Sequence, residues 1–173
     1  MQQFLRTFLD IVLWRRGPQD LPDSSLLVWI TAVAYVATGA LQLLIFGSDS
    51  GPMWLFYLFG DPLLLAGYVW LMLALYRHPA RFRQAAAAVF GTGALLGMLL
   101  YIPVQVAISS FGLEESETLV GIIALVLVVV FALVTGRIVK LATESSIYTG
   151  IASALVYFLF VNWIIEQVQG GGG

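Results

Sequence analysis

The sequence predicts an all-α, polytopic membrane helix bundle: five transmembrane helices preceded by an N-terminal amphipathic interfacial helix. Three observations carry that prediction. Of the 173 residues, 60% are hydrophobic and 10% are charged, whereas an ordinary soluble domain carries about 25% charged residues. Charged residues almost vanish from five long intervals, and apolar runs of roughly 18 residues or more read as membrane spans. The eight Lys and Arg residues fall only in alternate connections between those intervals.

The first element is residues 1–17, beginning "MQQFLRTFLDIVLWRR". Phe4, Leu5, Phe8, Leu9, Ile11 and Val12 gather on one side of a helix, while Gln3, Arg6, Thr7 and Asp10 gather on the other. The spacing follows i, i+3, i+4, i+7. Internal charges make it a poor span. It is expected to lie in the cytoplasmic interface with Trp14, Arg15 and Arg16 at headgroup level, or to dock a partner. Arg6 and Asp10 also interrupt any secretory-signal pattern. Gly17 and Pro18 end the helix. Residues 18–25 form a stiff connector in which Asp23, Ser24 or Ser25 can cap the next helix.

The spans follow at residues 26–46, 53–76, 84–109, 119–136 and 147–165. Each is near the ~20 residues needed to cross ~30 Å of hydrocarbon. They must be helices, because a spanning segment has to satisfy its own backbone polar groups. Residues 166–173 form a tail, whose glycine run at 170–173 is read as a linker.

Charge orients these elements. Arg6, Arg15 and Arg16 precede the first span; Arg77, Arg81 and Arg83 follow the second; Arg137 and Lys140 follow the fourth. The other connections carry no Lys or Arg. The positive-inside rule then places the N-terminus in the cytoplasm and the C-terminus outside. Glu114, Glu115 and Glu117 cluster before the fourth span, where acids suit the N-terminal end of a helix dipole.

Small residues allow helices in lipid to approach closely. The third span has Ala87, Gly91, Gly93 and Gly97; the fifth has Ser146, Gly150 and Ala154. These two helices are expected to be central. The fourth, "IIALVLVVVFALV", is bulky and is expected to face lipid. Pro103 should kink or end the third span.

With orientation set, Gln42, Asp61, Gln105 and Asn162 all fall at outer-leaflet depth, one from each of four helices. Polar groups at such depth either face a bundle interior or reach headgroups from a helix end. The first alternative is an outward-opening polar pocket; the second is plain interfacial solvation. Asp61 has two further readings. In "FGDPLL" it precedes Pro62, and Asp is a preferred N-cap before a Pro at the first helical position. Gly60, Asp61 and Pro62 would then mark a helix break, leaving residues 53–60 as a separate interfacial or re-entrant piece. Alternatively, Asp61 is a functional carboxylate.

Much chemistry is disfavoured. The chain has no cysteine and one histidine, His78, so thiolate, haem and histidine-rich metal sites are not expected. No catalytic set, zinc motif or Gly-rich nucleotide loop is present. The net charge of −2 gives no field for nucleic acid. No enzyme activity, cofactor or metal is expected.

The five-span topology, the cytoplasmic N-terminus, the short loops and the Gly-Asp-Pro mixture of "FGDPLL" resemble the Yip1-like membrane proteins. That resemblance implies a non-enzymatic role in membrane organisation through protein partners. The long N-terminal domain of the eukaryotic members is absent, and the charge bias points to a bacterial inner membrane. Two functions are therefore expected. One is a scaffold, assembly or accessory subunit, with a membrane-protein partner or a second copy beside the lipid. The other is a small transporter or oligomeric channel using the pocket around Asp61.

Overall fold

A computed structural model describes residues 2–46, 53–112 and 116–170. Among these residues there is no strand, and six helices account for the fold. They are α1 (Gln2–Val12), α2 (Ser25–Phe46), α3 (residues 53–75), α4 (residues 82–110), α5 (Glu117–Thr143) and α6 (Ile147–Gly170). Five stretches are long and apolar enough to cross a membrane: Ser25–Phe46, Leu58–Leu75, Pro79–Ser110, Thr118–Thr143 and Ile147–Gln167. The protein is an all-α membrane helix bundle with lipid against its outward faces. The end where α1 docks is called here the near end, and the opposite one the far end. Glu114 and Glu115 lie outside the described residues. Residues 166–170, expected as tail, prolong α6 instead.

The centre of the bundle is α4. Residues 85–92, "AAAAVFGT", are buried on every side, which is the mark of a helix surrounded by others. α1, α2, α3 and α5 all pack on it. The small residues singled out in the sequence sit at contacts, except Ser146, which is exposed and bonds Thr149 in the first turn of α6. Gly91 receives the ring of Phe8 from α1. Gly93 lies under Tyr35 of α2, where an added Cβ would be 2.7 Å from the ring, and Gly97 lies under Thr38 and Gln42. Gly150 faces the Gly136 carbonyl, backbone against backbone, and Ala154 is fully buried.

The lipid-facing expectation for the fourth span is half corrected. Ile122, Leu125, Val126 and Val129 are exposed, but Leu127, Ala132, Val134 and Ile138 are buried. α5 packs there on α3 and α4 as well as on α6, which Gly136 lets approach closely.

The arm is also corrected. Instead of turning its whole apolar side to lipid, α1 buries Phe8, Ile11 and Thr7 against the bundle and leaves Leu5, Leu9 and Leu13 exposed. Arg137 of α5 fastens its end. It donates from Nη1 to the Ile11 carbonyl (3.2 Å) and the Arg16 carbonyl (2.9 Å), and from Nη2 to that of Trp14 (2.6 Å). Its guanidinium also lies 5.3 Å from the Trp14 ring centre. Arg16 pairs with Asp10 at 3.4 Å, and Gln84 donates to the Leu21 carbonyl at 2.9 Å.

Three helices end alike at the near end. Trp14, Arg77 and Glu144 have φ of 65°, 61° and 58°, and the next N–H closes back five residues: Arg15 to Asp10, His78 to Leu73, Ser145 to Lys140. This is the left-handed helix stop that usually takes glycine. Arg81 then donates to Glu144 at 2.6 Å across the near-end loops. That hydrogen bond, with the Arg81 and His78 charges, holds the Glu144 carboxyl below its ordinary range.

The expected break at Gly60, Asp61 and Pro62 does not occur. Gly60 and Asp61 are both right-handed helical, no side-chain cap forms, and residues 53–60 are continuous with the rest of α3. The physical reason is a π turn at Phe56–Gly60, after which the Asp61 N–H bonds the Phe56 carbonyl, five residues back. Proline lacks an N–H and its ring strikes the carbonyl four residues earlier; the extra residue in a π turn moves that carbonyl aside. The same device recurs in α4. A π turn at Gly97–Tyr101 precedes Ile102, whose N–H bonds Gly97, and Pro103 follows. Pro103 therefore neither ends nor breaks its span, which continues to Ser110.

Candidate functional site: a cavity floored by Asp61

At the near end the bundle is tightly filled by the alanines of α4. Toward the far end the α2–α4 pair and the α5–α6 pair enclose a cavity of about 600 Å³. All five spans line it, from Tyr35, Gly93 and Phe131 deep inside to Phe46, Ile108 and Ile165 near the helix ends. Both π turns contribute, through Phe56 and Asp61 on α3 and through Gly97 and Tyr101 on α4. Such turns widen a helix locally and are frequent at functional sites.

Gln42, Asp61, Gln105 and Asn162 all line this one cavity. Their roles differ. Asn162 is exposed and donates to the Phe158 carbonyl of its own helix at 3.0 Å. Gln42 packs by Gly97. Asp61 sits deepest in hydrogen-bonding terms. Its Oδ2 accepts the Tyr35 hydroxyl at 2.6 Å, and its Oδ1 accepts the Tyr157 hydroxyl at 3.1 Å. One carboxylate thus ties α2, α3 and α6 together.

Behind it the network continues. Tyr157 stacks on Tyr68 with ring centres 4.9 Å apart. The Tyr68 hydroxyl is 2.9 Å from Ser153 Oγ, which donates to the Gly150 carbonyl at 2.9 Å. A serine hydroxyl has one proton, so Tyr68 is the donor of that pair. The chain Asp61–Tyr157–Tyr68–Ser153 links the cavity floor to the Gly136–Gly150 crossing.

Sequence reasoning missed both tyrosines. A signal was present on α2, where Tyr35, Thr38, Gly39 and Gln42 repeat as i, i+3, i+4, i+7 and all line the cavity. Extending the stripe inward from Gln42 reaches Tyr35. α4 repeats the pattern with Gly93, Gly97, Tyr101 and Gln105 at four-residue steps. For Tyr157 the sequence carries no comparable signal, because it lies behind Asp61 and does not face the cavity.

The arrangement sets one carboxylate, held by two tyrosine hydroxyls, where it can orient a molecule in the cavity. Among the described residues no three acidic or histidine side chains converge as a metal site. Tyr35→Phe and Tyr157→Phe should each leave one oxygen of Asp61 without its donor. A hydrogen bond to a charged group contributes about 1.5–3 kcal/mol, so each variant should unfold earlier by that margin in detergent. Unchanged melting in both would remove Asp61 as a tie between helices.

Comparison with protein-family models, with curated proteins and with solved structures finds no match.

Proposed function

We propose that the protein binds an amphiphilic molecule in the far-end cavity, as a small transporter or as the binding subunit of a larger assembly. One observation carries this reading: polar side chains from four different helices converge on a single, mostly apolar cavity of about 600 Å³. That size lies in the range of about 300–1,000 Å³ typical of small-molecule sites, which pair apolar walls with a few placed polar groups. All eight basic residues belong to the arm, to the near-end connection before α4, or to the near-end turns of α4 and α5. By the positive-inside rule the cavity then faces the extracytoplasmic side of, we propose, a bacterial inner membrane.

The cysteine-free chain makes single-cysteine labelling clean. Gln105→Cys should react with a membrane-impermeant maleimide added to intact cells, and dodecanol should slow that reaction. Arg83→Cys should react only after permeabilisation. The reverse pattern would invert the topology. Labelling of Gln105→Cys that dodecanol leaves unchanged would count against a ligand cavity.

The scaffold reading implied by a Yip1-like resemblance is supported by one feature. The docked arm leaves Leu5 and Leu13 more than half exposed, at 52% and 57%, on a helix a partner could reach. Co-purification of a stoichiometric partner, or of a second copy, that is lost in Leu5→Ser/Leu13→Ser would favour it.

A further inference from the structure

We infer that the cavity selects lipophilic organic cations; this rests on the proposed ligand-binding reading and names its charge class. Among the described residues, Asp61 is the one acidic residue on the wall, and no Lys, Arg or His lines it. Every basic residue of the chain lies in the arm, in the near-end connection before α4, or in the near-end turns of α4 and α5. The partners of the Asp61 carboxylate are both hydroxyls, Tyr35 and Tyr157, each on a separate oxygen. They orient it without cancelling its charge, and each oxygen keeps acceptor capacity. An entering anion would place like charges together in a low dielectric, which is strongly unfavourable. An entering cation would supply the missing counter-charge.

The walls fit the same ligand. Six aromatic residues, Tyr35, Phe46, Phe56, Tyr101, Phe131 and Phe158, line the cavity. Ring faces attract cations, most strongly where water is excluded, and aromatic cages are a known recognition mode for quaternary ammonium groups. The Asn162 amide gives one of its two N–H groups to the Phe158 carbonyl and keeps its own carbonyl oxygen as an acceptor. An inorganic ion fits poorly. Magnesium and calcium take six or more oxygen ligands at close range, whereas one carboxylate in about 600 Å³ leaves most of the space to apolar bulk.

The test uses two ions of the same shape and opposite charge. The full chain is placed in nanodiscs of neutral phosphatidylcholine, and equilibrium binding of tetraphenylphosphonium and tetraphenylborate is measured against empty nanodiscs. Two variants are compared. Asp61→Asn removes the charge. Gly39→Trp fills the cavity, since Gly39 lines it and an added Cβ there meets nothing within 4 Å.

Saturable phosphonium binding is expected, weakened about tenfold or more by Asp61→Asn and abolished by Gly39→Trp, with borate only partitioning into lipid. Saturable borate binding as tight as phosphonium binding, abolished by Gly39→Trp, would overturn the charge selectivity while keeping the cavity as a binding site. Phosphonium binding indifferent to Gly39→Trp would overturn both. Should Asp61→Asn fail to fold, Tyr101→Leu takes its place. It should weaken phosphonium binding several-fold, and unchanged affinity would overturn the inference.

Discussion

Gly150→Leu should leave almost no folded, monodisperse protein in mild detergent. α5 and α6 make one of the two widest helix contacts in the bundle, and they cross at Gly136 and Gly150. A Cβ on Gly150 would meet the Gly136 carbonyl, and a Cβ on Gly136 would lie 2.7 Å from both Ile151 N and Cα. At Gly91 or Gly93 the obstacle is the ring of a side chain, which can swing away. At Gly150 the obstacle is backbone, so relief requires separating two helices along their length. Overpacking a filled site costs about 1–3 kcal/mol and sometimes more, and this site belongs at the upper end. Helix separation in lipid also forfeits the close packing that small residues permit. Gly67→Leu and Gly121→Leu serve as controls: an added Cβ meets nothing within 4 Å at either position, and changes within about 0.5 kcal/mol are expected. Size-exclusion profiles and thermal unfolding of the three variants decide the matter. Equal behaviour would mean that the crossing does not hold the bundle. Because the residue-150 carbonyl also accepts from Ser153, displacing this backbone should reach the cavity floor through Tyr68 and Tyr157.

The same crossing shows what patterns in one dimension reveal. The five spans and the polar cluster were legible because depth in a membrane follows from helix rise and from the sidedness of charge. Gln42, Asp61, Gln105 and Asn162 share a level for that reason alone. Pairing across helices was not legible. Gly136 stands in a run of bulky residues, and its importance comes from Gly150 on another helix. The Gly-Asp-Pro sequence misled for a related reason. Local chemistry at Asp61 favours a cap, but the π turn at Phe56–Gly60 absorbs Pro62 within a continuous helix. The carboxylate is then directed to Tyr35 and Tyr157, which stand 26 and 96 residues away. Tertiary partners overrode the local preference at Asp61.

Arg137→Met should release the N-terminal arm while leaving the spans folded. Arg137 reaches three carbonyls at once, that of Ile11 in the last turn of α1 and those of Trp14 and Arg16 just beyond it, at 2.6–3.2 Å. Hydrogen bonds from a charged donor contribute about 1.5–3 kcal/mol each before coupling, and methionine keeps much of the side-chain bulk while donating none. The remaining hold on α1 is the burial of Phe8 and Ile11 against the bundle. Trypsin offers a direct reading, because the Arg16 carbonyl belongs to the peptide bond it would cut before Gly17. A protease needs that segment opened, and cleavage then tracks the open population. In Arg137→Met the cut should come about tenfold faster or more, which corresponds to about 1.4 kcal/mol or more. Arg137→Lys should fall between, since a single ammonium lacks the planar fork that spans three carbonyls. Thermal unfolding of the spans should move little by comparison, because α5 and α6 keep their own crossing. An unchanged cleavage rate would show that Phe8 and Ile11 hold the arm alone, and that Arg137 is a passenger at its end.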